Sequence, residues 1–444
     1  MRIKRFYWAV GLLVAMLMVI GAACDDDDNG GGDDGTPQAT AQTTEGDTTG
    51  VTDTEVTLGT HTSLTGPISA FNIIPNFASA YFDYINTMNN GVQGRTINYL
   101  VRDDVYEPPL AVDLTRQLVE QDNIFAMFNA LGTPNHLQVI DFLQANGVPD
   151  MYLATGAIEW VKDPEARPLA FGSNPNYTGE GMVIGNYIAD NFAGQKLGVL
   201  YQNDDFGLDG LAGVKLGIGD ALQVVSEQAY EVTEPDLSLS SQVDRMKADG
   251  ADVIAAWVTP NFLANSIKHA RNDLDWDVPF LITSVSMNEL TGLIAGDDVI
   301  EGTIGPAATY MAWETDIPGI AKHLEILDQQ GIGTEFASVL SIYSQYASEL
   351  MVETLERAGR DLTREGLVAA AESIQDWRCS VCLFPLSLGP DDHDPAQGMA
   401  LTVFRNGRIE YTGEAFSYEG TSIADLDPDN LEVIPLPDDA TFNP

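Results

Sequence analysis

The sequence predicts an α/β protein with two parallel β-sheets, each covered by helices on both faces. Two observations carry this expectation. Short, nearly unbroken apolar runs alternate with amphipathic helical stretches, the pattern of strands buried on both sides. The chain of 444 residues is also too long for one ordinary core. An apolar fraction of 44% and an aromatic fraction of 9% suffice to build such cores, which excludes a wholly disordered chain, a collagen and a many-spanning membrane protein.

The elements follow in order. Val56–Thr60 reads as a strand that ends at a Leu64-Thr65-Gly66-Pro67 turn. Ile74, Phe77, Ala78, Tyr81, Ile85 and Met88 then recur at steps of three and four, one apolar face of a helix closed by Asn90-Gly91. Strand Ile97–Val101, a helix through Leu110–Val119, strand Ile124–Phe128, helix Asn135–Ala145 and strand Met151–Ala154 complete the first run. The rhythm resumes with strands at Leu197–Tyr201, Val224–Tyr230, Val253–Trp257 and Phe280–Thr283. The polar, turn-rich Phe171–Tyr177 is the natural break between the sheets, and Phe336–Ala358 supplies a later long helix. No fixed-period repeat is present.

The ends of the chain read differently. Arg2, Lys4 and Arg5 precede an uncharged stretch, Phe6–Ala23, which runs into Gly21-Ala22-Ala23-Cys24. A basic head, a short apolar body and small residues at the exit make a signal peptide over residues 1–23. The cysteine that follows resembles the lipobox of a bacterial or archaeal lipoprotein, which implies lipid on Cys24; Gly21 stands where lipoboxes usually carry Leu. An uncleaved anchor is the alternative, and both readings put the rest of the chain outside the cell, tied to the membrane. Residues 24–55 hold almost nothing apolar and read as an acidic, disordered tether. Residues 413–444 contain eight acidic residues, no basic one and four prolines, and read as a loosely packed acidic tail.

Charge is lopsided, with 21 Lys and Arg against 66 Asp and Glu for a net −45. So negative a surface repels phosphate backbones and argues against a nucleic-acid partner. It also suits a salty habitat.

In open parallel sheets, ligands collect where the carboxyl ends of strands feed helix N-termini. Four such loops are rich in small polar residues: Leu64–Pro67, Gly132–Pro134, Ala154–Gly156 and Asn203–Gly207. Their wording resembles the solute-binding proteins of ABC transporters, the type I periplasmic class that binds branched-chain amino acids. The shared words are Leu64-Thr65-Gly66-Pro67, Gly91-Val92-Gln93-Gly94-Arg95, Asp103-Asp104 with Pro108 and Ala111, Gly147-Val148-Pro149, and Ala154-Thr155-Gly156-Ala157. Leu200–Gly207, Ser241-Gln242-Val243 and Gly250–Val253 continue them, in family order over about residues 56–412. The resemblance implies two Rossmann-like lobes joined by three crossings and closing on a solute. Lobe 1 would be residues 56–174 plus 312–385, and lobe 2 residues 175–311 plus 386–412. It also implies a permease partner and no cofactor.

A helix N-terminus with a glycine and a threonine offers free N–H groups and a hydroxyl, enough to hold a carboxylate without a lysine. Gly132-Thr133 and Ala154-Thr155-Gly156 fit that need, and the resemblance places both at the family's carboxylate cradle. Phe71 and Phe206 occupy positions where the family tends to place ligand-flanking tyrosines, and Tyr177, Tyr310 and Tyr343 are further aromatic candidates. Thr259 and Ser284 join the set at later strand ends. The departure lies after Phe280–Thr283, where amino-acid binders of the family carry a carboxylate. Here the loop reads Ser284-Val285-Ser286-Met287-Asn288-Glu289, and Glu289 comes late. Without a carboxylate a buried ammonium would stand unpaired. The expected solute is therefore a small amphipathic molecule, a branched-chain amino acid or a related carboxylate or amide. A ligand-sensing domain of the same fold, and then an enzyme on this scaffold, are the alternatives.

Cys379-Ser380-Val381-Cys382 has no second pair and no histidine at zinc-finger spacing; in an exported chain it reads as a local disulfide. Asp391–Asp394, between Pro390 and Pro395, reads as an exposed turn rather than a metal site. The five histidines are scattered and no catalytic motif is present, so neither metal nor catalytic residues are assigned.

Overall fold

The computed structural model describes residues 46–441; the leader, Cys24 and most of the expected tether lie outside them. The first sheet is wholly parallel, in the order β2-β1-β3-β4-β5. Its strands are β1 (Glu55–Thr62), β2 (Thr96–Asp103), β3 (Ala126–Phe128), β4 (Asp150–Leu153) and β5 (Ala170–Gly172). Between them run α1 (Ile73–Asn89), α2 (Pro108–Glu120), α3 (Thr133–His136) and α4 (Ile140–Ala145). The single helix expected over Asn135–Ala145 is thus two. Asn135 and His136 are hydrogen-bonded to Asp104, His61 and Asp150, which fastens the first turn to the sheet.

The second sheet begins with α5 (Tyr177–Asn191), β6 (Lys196–Gln202), α6 (Asp205–Ile218), β7 (Gln223–Tyr230), α7 (Ser240–Asp249), β8 (Val253–Trp257), α8 (Pro260–Lys268) and β9 (Phe280–Ile282). Next come α9 (Glu289–Ala295), α10 (Asp297–Ile300) and β10 (Ile304–Ala307). The chain then returns to the first lobe, where α11 (Pro318–Gln329) and α12 (Val339–Ala358) pack on α1, and α13 (Arg364–Glu372) packs on α12. Ser338 and Ser341 form a reciprocal cap that starts α12 three residues later than its periodicity suggests.

A last crossing leads back to β11 (Gly398–Arg405) and β12 (Arg408–Ser417). These strands add antiparallel to β10, so the second sheet is mixed, not purely parallel. The acidic end is not a loose tail. Residues 413–417 belong to β12, and β13 (Glu432–Ile434) pairs with it and covers its edge. Tyr418 is buried and accepts a hydrogen bond from Asn176 at 3.0 Å. Acidic composition hid the few apolar residues, such as Phe416 and Tyr418, that do the packing. At the other end the expected tether stops early, because Asp47 already pairs with Arg364 at 2.7 Å. The Asp391–Asp394 segment is another correction. His393 and Asp394 are buried, with His393 stacked on Phe171 and Asp394 bonded to Asn176, because the third crossing lies beside the first.

One helix pair sets the site. A Cβ added at Gly181 of α5 would stand 2.6 Å from the Gly210 carbonyl, and one at Gly213 of α6 would stand 2.1 Å from the Thr178 carbonyl. Only glycine lets the two backbones approach this closely. The contact brings the first turns of both helices together, so the rings of Tyr177 and Phe206 meet edge to face at 5.0 Å.

Cys379 and Cys382 form a disulfide within the 379–386 loop, which is pinned to the second crossing by Leu383 N donating to Ala308 O and Tyr310 N donating to Val381 O. So short a loop gains little from closure. Cys379→Ser with Cys382→Ser should lower stability by about 2 kcal/mol, measured by urea unfolding.

Candidate functional site

Among the described residues a large cleft lies between the lobes, with about 1200 Å³ of space that includes open solvent. Its first-lobe wall is the carboxyl end of the first sheet. Leu131, Gly132 and Thr133 follow β3, Ala154 and Thr155 follow β4, and Ser173 follows β5. The Thr133 and Thr155 hydroxyls share a hydrogen bond of 2.6 Å, which locks the two loops together. Gly132 holds a positive φ of 109°, and a Cβ there would meet the Tyr106 ring at 2.9 Å. Ile68, Phe71, Ile74 and Leu340 form an apolar cluster with Tyr106, Leu131 and Ala154.

The second-lobe wall carries Phe206, Thr259, Ser284 and Val285. Gln202 receives the Tyr230 hydroxyl at 2.9 Å and donates to Asp204 at 2.6 Å, and Tyr230 in turn accepts from Thr259 N at 3.2 Å. Gln202 also donates across the gap to the Tyr106 hydroxyl at 3.3 Å. Ile158 N donates to Asp209 and Val339 N to Glu289 from the first lobe to the second, each at 2.9 Å.

Of the twelve positions singled out from the sequence, Phe71, Gly132, Thr133, Ala154, Thr155, Tyr177, Phe206, Thr259, Ser284 and Tyr343 line this cleft. Two do not. Gly156 sits behind the wall, where a Cβ would meet the Pro175 carbonyl at 2.3 Å, and its own carbonyl accepts from Tyr177 N. Tyr310 points away, its hydroxyl donating to Asp439 and accepting from Arg378. Glu289 stands first in α9 and spends a carboxyl oxygen on the start of α12.

Sequence reasoning missed the base of the cleft. All three crossings between lobes line it: Ser173–Pro175, Pro306–Thr309, and Cys382–Leu386 with Ala396–Met399. It also missed Tyr106, which Val105 and Tyr106 present from a strained turn with φ of 53° and 62°. Asp103 and Asp104 hold that turn by accepting the amides of Val105 and Tyr106. The adjacent acidic pair was the available signal.

Behind the wall runs a fully buried chain. Asp104 accepts from His61 Nδ1 at 2.8 Å, His61 Nε2 meets His136 Nδ1 at 3.1 Å, and His136 Nε2 meets Asp150 at 2.5 Å. Burial alone would raise the Asp104 carboxyl, but hydrogen bonds from His61, Asn135 and the Tyr106 amide outweigh it and hold it below the usual range. Burial holds His61 below its usual value, so it is the neutral Nδ1–H tautomer and accepts from His136.

Burial pushes Glu180 up to about 7, although it accepts from both the amide and the hydroxyl of Ser284 at 2.7 Å. Folded Glu180 keeps its proton where an unfolded glutamate has already lost it. That stability is complete below pH 4.5 and is lost as pH rises through about 7. Glu180→Gln mimics the protonated form, and relative to it wild type should lose about 3 kcal/mol across that window. Unfolding midpoints from pH 4 to 8 measure it.

The fold and cleft define a two-lobed α/β binding protein with its site at the strand ends between the lobes. The sequence profile described as "Periplasmic binding protein" matches residues 55–408, and the chain belongs to that family. The similar solved structures include a branched-chain amino acid ABC transporter protein from Thermus thermophilus with bound valine. It is 23% identical, with a TM-score of 0.75 over 82% of this chain and 96% of that one. A fatty acid ABC transporter substrate-binding protein from Thermomonospora curvata is also 23% identical, with a TM-score of 0.73 over 84% of this chain and 95% of that one. At these identities the likeness establishes the fold. An amino acid binding protein of Pseudomonas aeruginosa is 24% identical over 171 residues, 37% of this chain and 43% of that protein's length.

Proposed function

We propose that this protein captures a small amphipathic solute outside the cytoplasm and delivers it to an ABC importer. One observation carries the reading: a large cleft walled by both lobes, with the three interlobe crossings at its base, so that hinge motion opens and closes it. The moving bodies are residues 56–174 with 312–385 and residues 175–311 with 386–434, the second extended to take in β12 and β13. Hydroxyls of Thr133 and Thr155 hold the polar end, while Phe71, Tyr177, Phe206 and Tyr343 grip the apolar part. Lipid on Cys24 would tether the protein, and the outer faces of the closed lobes would dock the permease. Known relatives named as substrate-binding proteins of transporters support this, and no catalytic step is proposed.

Thermal unfolding against a panel of leucine, aromatic acids and short-chain amides tests the reading. A solute held at 100 times its Kd should stabilise the protein by about 2.7 kcal/mol. A flat response across a broad metabolite panel would contradict it.

A further inference from the structure

The lining of the cleft narrows the solute beyond its size. Among the described residues, no Asp, Glu, Lys, Arg or His side chain lines it. Carboxyls on the elements that flank it are committed elsewhere: Glu180 to Ser284, Glu289 to Val339 N, Asp204 to Gln202, and Asp209 to Ile158 N. A solute ammonium would therefore enter without a carboxylate partner, at a cost of several kcal/mol of binding. The polar side chains at the first-lobe strand ends are neutral: Thr133 and Thr155, whose hydroxyls share one hydrogen bond, and Ser173, whose hydroxyl donates to Leu153 O.

The base of the same cleft is apolar. Ala308, Cys382, Phe384, Leu386, Ala396 and Met399 line it where the crossings run together. Ala308 is half-buried, and the 308–310 and 381–383 segments are joined by backbone hydrogen bonds, so this floor is a built surface.

Resting on the solute-binding reading above, we propose that the solute is a medium-chain acyl compound, a carboxylate or carboxamide without an ammonium group. Its head group sits at Thr133 and Thr155, and its apolar tail lies on the hinge floor beside Ala308 and Phe384. The tail thus touches the segments that bend on closure.

Calorimetry on the purified chain with butanoate, hexanoate, octanoate, octanamide, leucine, 4-methylpentanoate and choline tests this. Affinity should rise about fourfold per methylene buried, and leucine should bind at least about 100-fold more weakly than its des-amino analogue 4-methylpentanoate. The octanoate and octanamide arms separate the two head groups. Ala308→Phe should cut the preference for octanoate over butanoate at least tenfold. As a measurement independent of that variant's folding, octanoate bearing a terminal diazirine should label residues 306–309 and 382–386 of wild type. Affinity flat with chain length, label confined to residues 68–74, or tighter binding of leucine or choline would overturn the inference while leaving solute capture intact. If none of the probes binds and a broad metabolite panel also fails to shift the melting temperature, the solute-binding reading itself falls.

Discussion

Replacing Asp104 with alanine is expected to cost about 3–5 kcal/mol of stability. The carboxylate is fully buried and accepts from His61 Nδ1, the Ser63 hydroxyl, Asn135 Nδ2 and the Tyr106 amide. Alanine leaves those donors facing nothing, each at a desolvation cost of about 1–3 kcal/mol that partial relaxation reduces. It also removes the group that keeps His61 in its Nδ1–H tautomer, and with it the order of the chain through His136 to Asp150. Urea unfolding should show a lower midpoint at unchanged slope. Because Asp104 fixes both the strained Tyr106 turn and Asn135 beside Thr133, solute affinity should fall as well. A stability loss under 1 kcal/mol would mean that the buried chain is replaceable by water.

The second large effect lies at the α5–α6 contact. Gly213→Ala places a methyl 2.1 Å from the Thr178 carbonyl and forces the helices apart. The three nearest atoms, Thr178 O, Gly181 Cα and Met182 N, are all backbone and cannot swing aside, so the expected cost is about 3 kcal/mol. The functional consequence follows from position. Tyr177 and Phe206 head the two helices, and their 5.0 Å contact depends on the spacing that Gly213 permits. Affinity for any captured solute should therefore drop more than in Gly194→Ala, where a φ of 80° makes alanine costly but the Cβ position is open and does not line the cleft. Equal affinities in the two variants would separate the helix contact from the site.

These effects also mark what the sequence makes legible. Strands such as Val253–Trp257 are apolar on both faces and announce themselves. The Gly132-Thr133 and Thr155 loops follow such strands, and their place in the cleft follows from parallel-sheet geometry. The hinge floor does not announce itself, because Ala308, Phe384 and Met399 come from segments far apart in the chain and none is chemically distinctive. His61 and His136 are 75 residues apart and meet only through adjacent strands β1 and β3. Tyr310 misleads for the opposite reason: an aromatic just after a strand end looks like a wall of the site, yet its hydroxyl is engaged by Arg378 and Asp439. Phe416 and Tyr418 are lost in an acidic background although they pack the end of the second lobe.

Small-angle X-ray scattering of the protein, freed of bound solute by mild unfolding and refolding, tests lobe closure most directly. Titration with the solute that most raises the melting temperature should shrink the radius of gyration in a saturable way, at a midpoint matching the calorimetric Kd. The Tyr106–Gln202 and Val339–Glu289 contacts across the gap describe the state reached at saturation. A radius that stays constant while calorimetry reports full occupancy would contradict capture by closing lobes.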